Sequence, residues 1–243
     1  MYLRAYRTHQ QNWGVAMMVL EQKGFIVPGP SRSSRKINWR SRASCRGTLV
    51  LSLSSRQQVV VYESLLELMC ILLISSRGDL ADVWDQPEPI RFSLPDGSRH
   101  EHTFDYRVTL ADGLRYAVAI KPIHHVEKYD FDLKLGYFRA ALPDSFAAEV
   151  ILMSEAVFTR AQALNAQRYH EFTKKPDKDA DDHIVRVAHE QREPMVLEEL
   201  IGISGLGGRG FRAGFRAIIE GKLKPLSHGK IGLQTMVSSE VPI

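Results

Sequence analysis

Apolar and polar positions alternate most cleanly between residues 103 and 121. Phe104, Tyr106 and Val108 fall on one side and Thr103, Asp105 and Arg107 on the other; after Ala111-Asp112-Gly113, Tyr116, Val118 and Ile120 oppose Ala117, Ala119 and Lys121. Period-two alternation across a Gly-containing turn predicts a β-hairpin. Elsewhere the pattern predicts helices over 12–23, 59–74, 126–142 and 155–172, and strands over 49–53, 90–94 and 148–153. In the second helix Tyr62, Leu65, Leu66, Met69 and Leu73 recur at helical spacing, which sets Glu63 and Glu67 one turn apart on one side. In the third, Tyr129, Leu133 and Tyr137 form the apolar face. Pro95-Asp96-Gly97-Ser98 is a turn. Helix, strands, helix and strand predict an α/β fold, a mixed sheet flanked by helices.

The pattern changes after residue 172. Lys174 to Asp182 is densely charged and contains a proline, which predicts a linker over 173–182 between domains 1–172 and 183–243. Beyond it a short helix over 195–201, a glycine-rich turn over 202–210, a helix over 211–220 and strands over 223–226 and 233–237 follow the order of a winged helix. Arg209, Arg212 and Arg216 lie at or on its second helix and are candidate DNA contacts. Gly205 to Gly210 is not a nucleotide loop, since no Lys-Ser or Lys-Thr pair ends it.

Composition alters this picture in two places. The chain has 243 residues and a net charge of +4, but no acidic residue lies between Glu21 and Glu63, where Lys23, Arg32, Arg35, Lys36, Arg40, Arg42, Arg46 and Arg56 cluster. No apolar anchor accompanies them, so nucleic acid is expected ahead of a membrane; Arg32, Arg35, Lys36, Arg40 and Arg42 are the candidate contacts. The apolar run over 65–74 is too short to span a bilayer and carries Glu67, and two cysteines form neither a disulfide framework nor a zinc set. A cytoplasmic, reducing setting is expected.

The candidate chemistry lies on the hairpin. A strand carboxylate, a helix carboxylate and a strand-end lysine suit a metal-dependent phosphodiesterase, with Asp105, Glu63 and Lys121 as the residues. Ala119 stands where a second strand carboxylate is expected. His124-His125 reads as a surface or DNA-facing pair, because adjacent residues on a regular element diverge.

The series Tyr62-Glu63-Ser64-Leu65-Leu66-Glu67, Gln86-Pro87, Thr103-Phe104-Asp105 and Val118-Ala119-Ile120-Lys121-Pro122 resembles the TnsA transposon-end endonuclease family. The resemblance continues through 150–165 into the C-terminal segment, and its motifs are looser beyond Lys121. It implies a restriction-endonuclease-like fold with a winged-helix-like C-terminal domain. It further implies Mg2+ (or Mn2+) as cofactor, and 5′-strand cleavage of double-stranded DNA at transposon ends beside a DDE-type transposase and an AAA+ regulator. Glu63, Asp105 and Lys121 take the catalytic positions, and the Ile120 backbone carbonyl faces the metal. Ala119 departs from the Glu or Gln of relatives. It leaves three alternatives: an engineered inactivating change, a natural loss, or a site completed by another group such as Glu67, Glu127 or His124. A non-catalytic DNA-binding scaffold and a stand-alone restriction or repair nuclease are the rival functions.

Overall fold

The computed structural model describes residues 27–35, 45–53 and 56–239. The expected helix over 12–23 and residues Lys36, Arg40 and Arg42 lie outside these. A hairpin of β1 (Gly47–Ser52) and β2 (Gln57–Tyr62) leads into helix α1 (Leu65–Ser75). Then come β3 (Leu80–Asp85), a second hairpin of β4 (Ile90–Ser93) and β5 (Arg99–His102), and the strands β6 (Tyr106–Leu110) and β7 (Arg115–Ile120). Helices α2 (Ile123–Lys128) and α3 (Phe131–Ala141) cross over to β8 (Glu149–Met153), which is followed by helix α4 (Arg160–Thr173). The central sheet has the order β3-β6-β7-β8, antiparallel except for the parallel β7–β8 pair. The fold is mixed α/β.

Alternation along β7 divides the core. Val118 and Ile120 point toward α1, with Tyr106, Val108, Val83, Cys70 and Ile71. Ala117 and Ala119 point the other way, toward Phe131, Leu135 and Phe138 of α3. These two small side chains leave room for the aromatic layer, which Phe104 completes.

Five expectations are corrected. Residues 59–62 belong to β2 rather than to a helix, because three consecutive valines favour the extended chain and Ser64 starts α1 by accepting the Glu67 N–H. Glu63 therefore precedes the helix. Phe104 and Tyr106 do not share a face, since β6 begins only at Tyr106. The helix expected over 126–142 breaks at Asp130, whose φ is 47°, and its inward face is Phe131, Leu135 and Phe138 while Leu133 is 63% exposed. Edge strand β3 of the four-stranded sheet has no counterpart among the expected strands, its apolar signal being diluted by Asp82 and Asp85. The charged stretch over 174–182 is largely the start of helix α5 (Lys178–Gln191): Asp177 caps it by accepting the Ala180 N–H, and Asp179 and Asp181 favour its positive end.

The C-terminal part comprises α5, β9 (Met195–Val196), α6 (Leu197–Ser204), α7 (Gly208–Ile219), β10 (Lys224–Pro225) and β11 (Met236–Ser238), with the strands in the order β10-β11-β9. The glycine-rich stretch thus enters α7. There Gly214 lets Leu197 approach, for a Cβ at that position would lie 2.6 Å from Leu197 Cδ1. Helix α4 joins the two parts. It packs on α1, and its Phe172 meets Phe211 and Phe215 edge-on.

Asp85, fully buried at the end of β3, holds the N-terminal side of this assembly. It accepts the Val61 N–H and the Arg32 N–H, each at 3.0 Å, and the Ser31 hydroxyl. Removing the carboxylate would leave three donors without their acceptor. Asp85→Ala is expected to lower stability by about 3 kcal/mol in urea unfolding, and a loss near zero would contradict this role.

Candidate active site

The β6–β7 ladder pairs Tyr106 with Val118, and Asp105 N donates to Val118 O at 3.0 Å. One step further a side chain takes over. Asp105 Oδ2 accepts the Ile120 N–H at 2.6 Å and lies 3.4 Å from Lys121 Nζ. Both main chains are pinned from outside: Asp105 O accepts the Gln86 N–H at 2.9 Å, and Lys121 N donates to Met153 O at 3.0 Å. The Asp105 side chain is 12% exposed and that of Lys121 29%. Lys121 Nζ also lies 5.9 Å from the Phe131 ring centroid. The lysine is thus held between a carboxylate and an aromatic face.

Further charges share this field. Burial pushes the Asp105 carboxyl above its ordinary range, opposed by Lys121, by the Ile120 amide and by the charge of Arg35. Glu67, near the start of α1, is also pushed up, by burial first and by the Asp105 charge second. Its carboxylate accepts the Glu63 N–H at 2.7 Å and contacts the Ser64 hydroxyl at 3.0 Å. Glu63 itself pairs with Arg35. Glu155, two residues past β8, accepts the Ile123 N–H at 3.1 Å, next to Lys121-Pro122. Cys70 is fully buried, and this burial, followed by the charges of Asp105, Glu67 and Glu155, raises its thiol to about 12.

Asp105 and Lys121 therefore meet directly, whereas Glu63 pairs with Arg35, whose charge also acts on Asp105, and Glu67 feels the Asp105 charge. Ala119 is fully buried in the aromatic layer. His124, His125 and Glu127 are exposed on α2, the two imidazoles edge-on at 4.5 Å. Among the described residues no three His, Cys, Asp or Glu side chains are grouped to hold a metal. The donor chemistry still fits Mg2+, which is commonly held by one or two carboxylates, water and substrate phosphate rather than by an all-protein cage. Asp105 is one such carboxylate, and its charge helps to raise Glu67.

Of the candidate DNA contacts, Arg32 bridges to Asp82 at 2.8 Å and lies over Trp84, while Arg35 is about half exposed beside Glu63. Arg209 makes a bidentate pair with Asp177, both bonds at 2.7 Å, and Arg212 is exposed. Arg216 is buried at 3% and forks onto Asp181. It ties α7 to α5 rather than facing a groove.

Pattern reading missed His102. Its ring stacks on Phe138 at 4.2 Å, and Nε2 is buried without a hydrogen-bond partner. No protein-family model matches the chain, and no curated protein matches it.

Burial, and then the charge of Lys121, push the His102 pKa down to about 4. An unfolded imidazole takes up its proton near pH 6.5 while the native one does not. The contribution of this group is fully present above pH 6.5 and is lost as pH falls toward 4. Wild type is expected to lose about 2–3 kcal/mol through this group across that window, read by urea unfolding, and His102→Phe should flatten the loss. An unchanged slope in the variant would contradict it.

Proposed function

We propose that the chain is a magnesium-dependent DNA endonuclease subunit that cuts 5′ strands at transposon ends, working beside a DDE-type transposase and an AAA+ regulator. The observation that carries the reading is Asp105 Oδ2, shared by the Ile120 amide and the Lys121 ammonium, with the Glu67 carboxylate in its field. A half-buried carboxylate in contact with a lysine, with a second carboxylate in its field, suits a cation and a phosphodiester together. The order of helix, antiparallel strands, crossover helices and parallel strand agrees with a restriction-endonuclease-like core. Three helices followed by a hairpin that joins a third strand agree with a winged-helix-like domain. The transposition context rests on the sequence resemblance.

When bound, a divalent cation would neutralise phosphate charge and provide an activated water. Asp105 and Glu67 would hold it. Lys121, fixed by Asp105 and by its main-chain bond to Met153 O, is placed to donate to a phosphate oxygen as charge builds there. The aromatic layer of Phe131 and Phe104 closes one side of the site to water.

The burial of Ala119 in that layer favours one rival, a DNA-binding scaffold that kept the fold and lost the chemistry. Cleavage of an end-labelled transposon-end duplex, with transposase and regulator present, separates the two. The endonuclease reading expects Asp105→Asn and Lys121→Ala each to lower the rate by about a hundredfold or more. Wild-type-like cleavage in both variants, or none by wild type, would contradict it.

A further inference from the structure

Arg107 stands on the face of the central sheet opposite α1. In register it pairs with Trp84 of β3 and with Ala117 of β7, and Ala117 belongs to the aromatic layer. Its guanidinium carbon lies 4.5 Å from the Trp84 ring centroid and 5.4 Å from that of Phe146. Half-buried against these rings, it donates no side-chain hydrogen bond and meets no carboxylate among the described residues. A guanidinium carries five N–H donors, and stacking on a ring satisfies none of them.

Its neighbours do not supply the missing acceptor. Asp82 is the acid whose charge reaches Arg107, and it already accepts from Arg32 at 2.8 Å and from Arg56 at 2.6 Å. Arg115 donates to Ser145 O at 2.6 Å. The segment over 31–35, where Arg32 O accepts the Trp84 indole N–H at 2.8 Å, adds arginines and no acid. Burial first, then the charges of Arg115 and Arg32, push the Arg107 pKa below its ordinary value. Positive charge is thus in excess on this face, and Arg107 holds all of its guanidinium N–H groups uncommitted.

The same aromatic layer reaches the candidate active site. Phe146 lies 6.0 Å from Phe104, Phe104 5.9 Å from Phe138, and Phe138 5.8 Å from Phe131, near which Lys121 Nζ sits. Arg107 and Lys121 therefore border one layer. Arg107 also follows Asp105 by two residues, about 7 Å of extended chain. A lone carboxylate would occupy Arg107 only, whereas a nucleic-acid strand presents oxyanions in series to both cations.

We infer that Arg107 binds a phosphate of the DNA strand that passes Lys121, with Trp84 and Phe146 holding its guanidinium in place. This rests on the DNA-cleaving reading and adds to it a phosphate site separate from the catalytic residues. Its planar fork suits two phosphate oxygens at once.

Anisotropy of the full chain on a labelled duplex, over a salt series, tests it. Arg107→Gln is expected to weaken binding about tenfold and to flatten the slope of log affinity against log salt by about 1. Arg107→Lys keeps the charge and loses the fork, so it should keep the slope and recover only part of the affinity. Arg91→Gln removes the same charge from a guanidinium already paired with Glu101 at 2.9 Å, and is expected to change neither. Unchanged affinity and slope in Arg107→Gln, with wild type binding DNA, would overturn the assignment and leave the nuclease reading standing. Equal losses in Arg91→Gln and Arg107→Gln would show an effect of net charge alone and overturn it too. Inorganic phosphate that displaces wild type but not Arg107→Gln from the duplex, at constant ionic strength, would assign the site to a small free phosphate and overturn the DNA contact. Wild type ignoring DNA would overturn both readings.

Discussion

The β6–β7 ladder ends on a carboxylate where another strand would offer a carbonyl. Asp105 Oδ2 takes the Ile120 N–H at 2.6 Å, so an ionisable group sits inside the hydrogen-bonding frame of the central sheet. That one bond fixes the carboxylate to the backbone and fixes the start of the Lys121 side chain relative to it. Burial raises the free energy of the charged form, and Lys121, the amide and Arg35 offset part of that cost. The segments around it serve this arrangement: Gln86 holds the Asp105 carbonyl, β8 holds Lys121, and Asp85 holds Ser31 and Arg32 against β2 and β3.

How much of this was legible depended on whether a residue's neighbours in sequence were its neighbours in space. The β6–β7 hairpin was readable because alternation is strict and Gly113 marks its turn. Asp105 and Lys121 were legible as a pair for the same reason. The start of α1 was misread because an all-round apolar run has no helical period to mark its boundary, and the cap at Ser64 was overlooked. The linker was misread because acidic residues at a helix start look, by composition, like a solvated spacer. Arg216 and Arg32 read from sequence as DNA contacts, but their pairing with Asp181 and Asp82 cannot be seen in one dimension. His102 and Asn165 carry no pattern signal at all, since each acts through partners brought by other elements.

Ala119 is best understood through its surroundings. It lies in the aromatic layer with Phe104 and Phe131, on the face of β7 opposite Val118 and Ile120. A carboxylate at that position would begin among apolar side chains and would need a cation or the Lys121 ammonium to be stable there. Glu67, near the start of α1, is pushed up by burial and then by the charge of Asp105. In the proposed nuclease reading, the weight of a cation falls on Asp105, the carboxylate that directly contacts Lys121.

Calorimetric titration with manganese, on wild type, Asp105→Ala and Glu67→Gln, tests that claim most directly because it needs neither partner proteins nor cleavage. The account predicts binding by wild type, its loss in Asp105→Ala, and weakening by about tenfold in Glu67→Gln. Equal binding by wild type and Asp105→Ala, or no binding by any of the three, would contradict it.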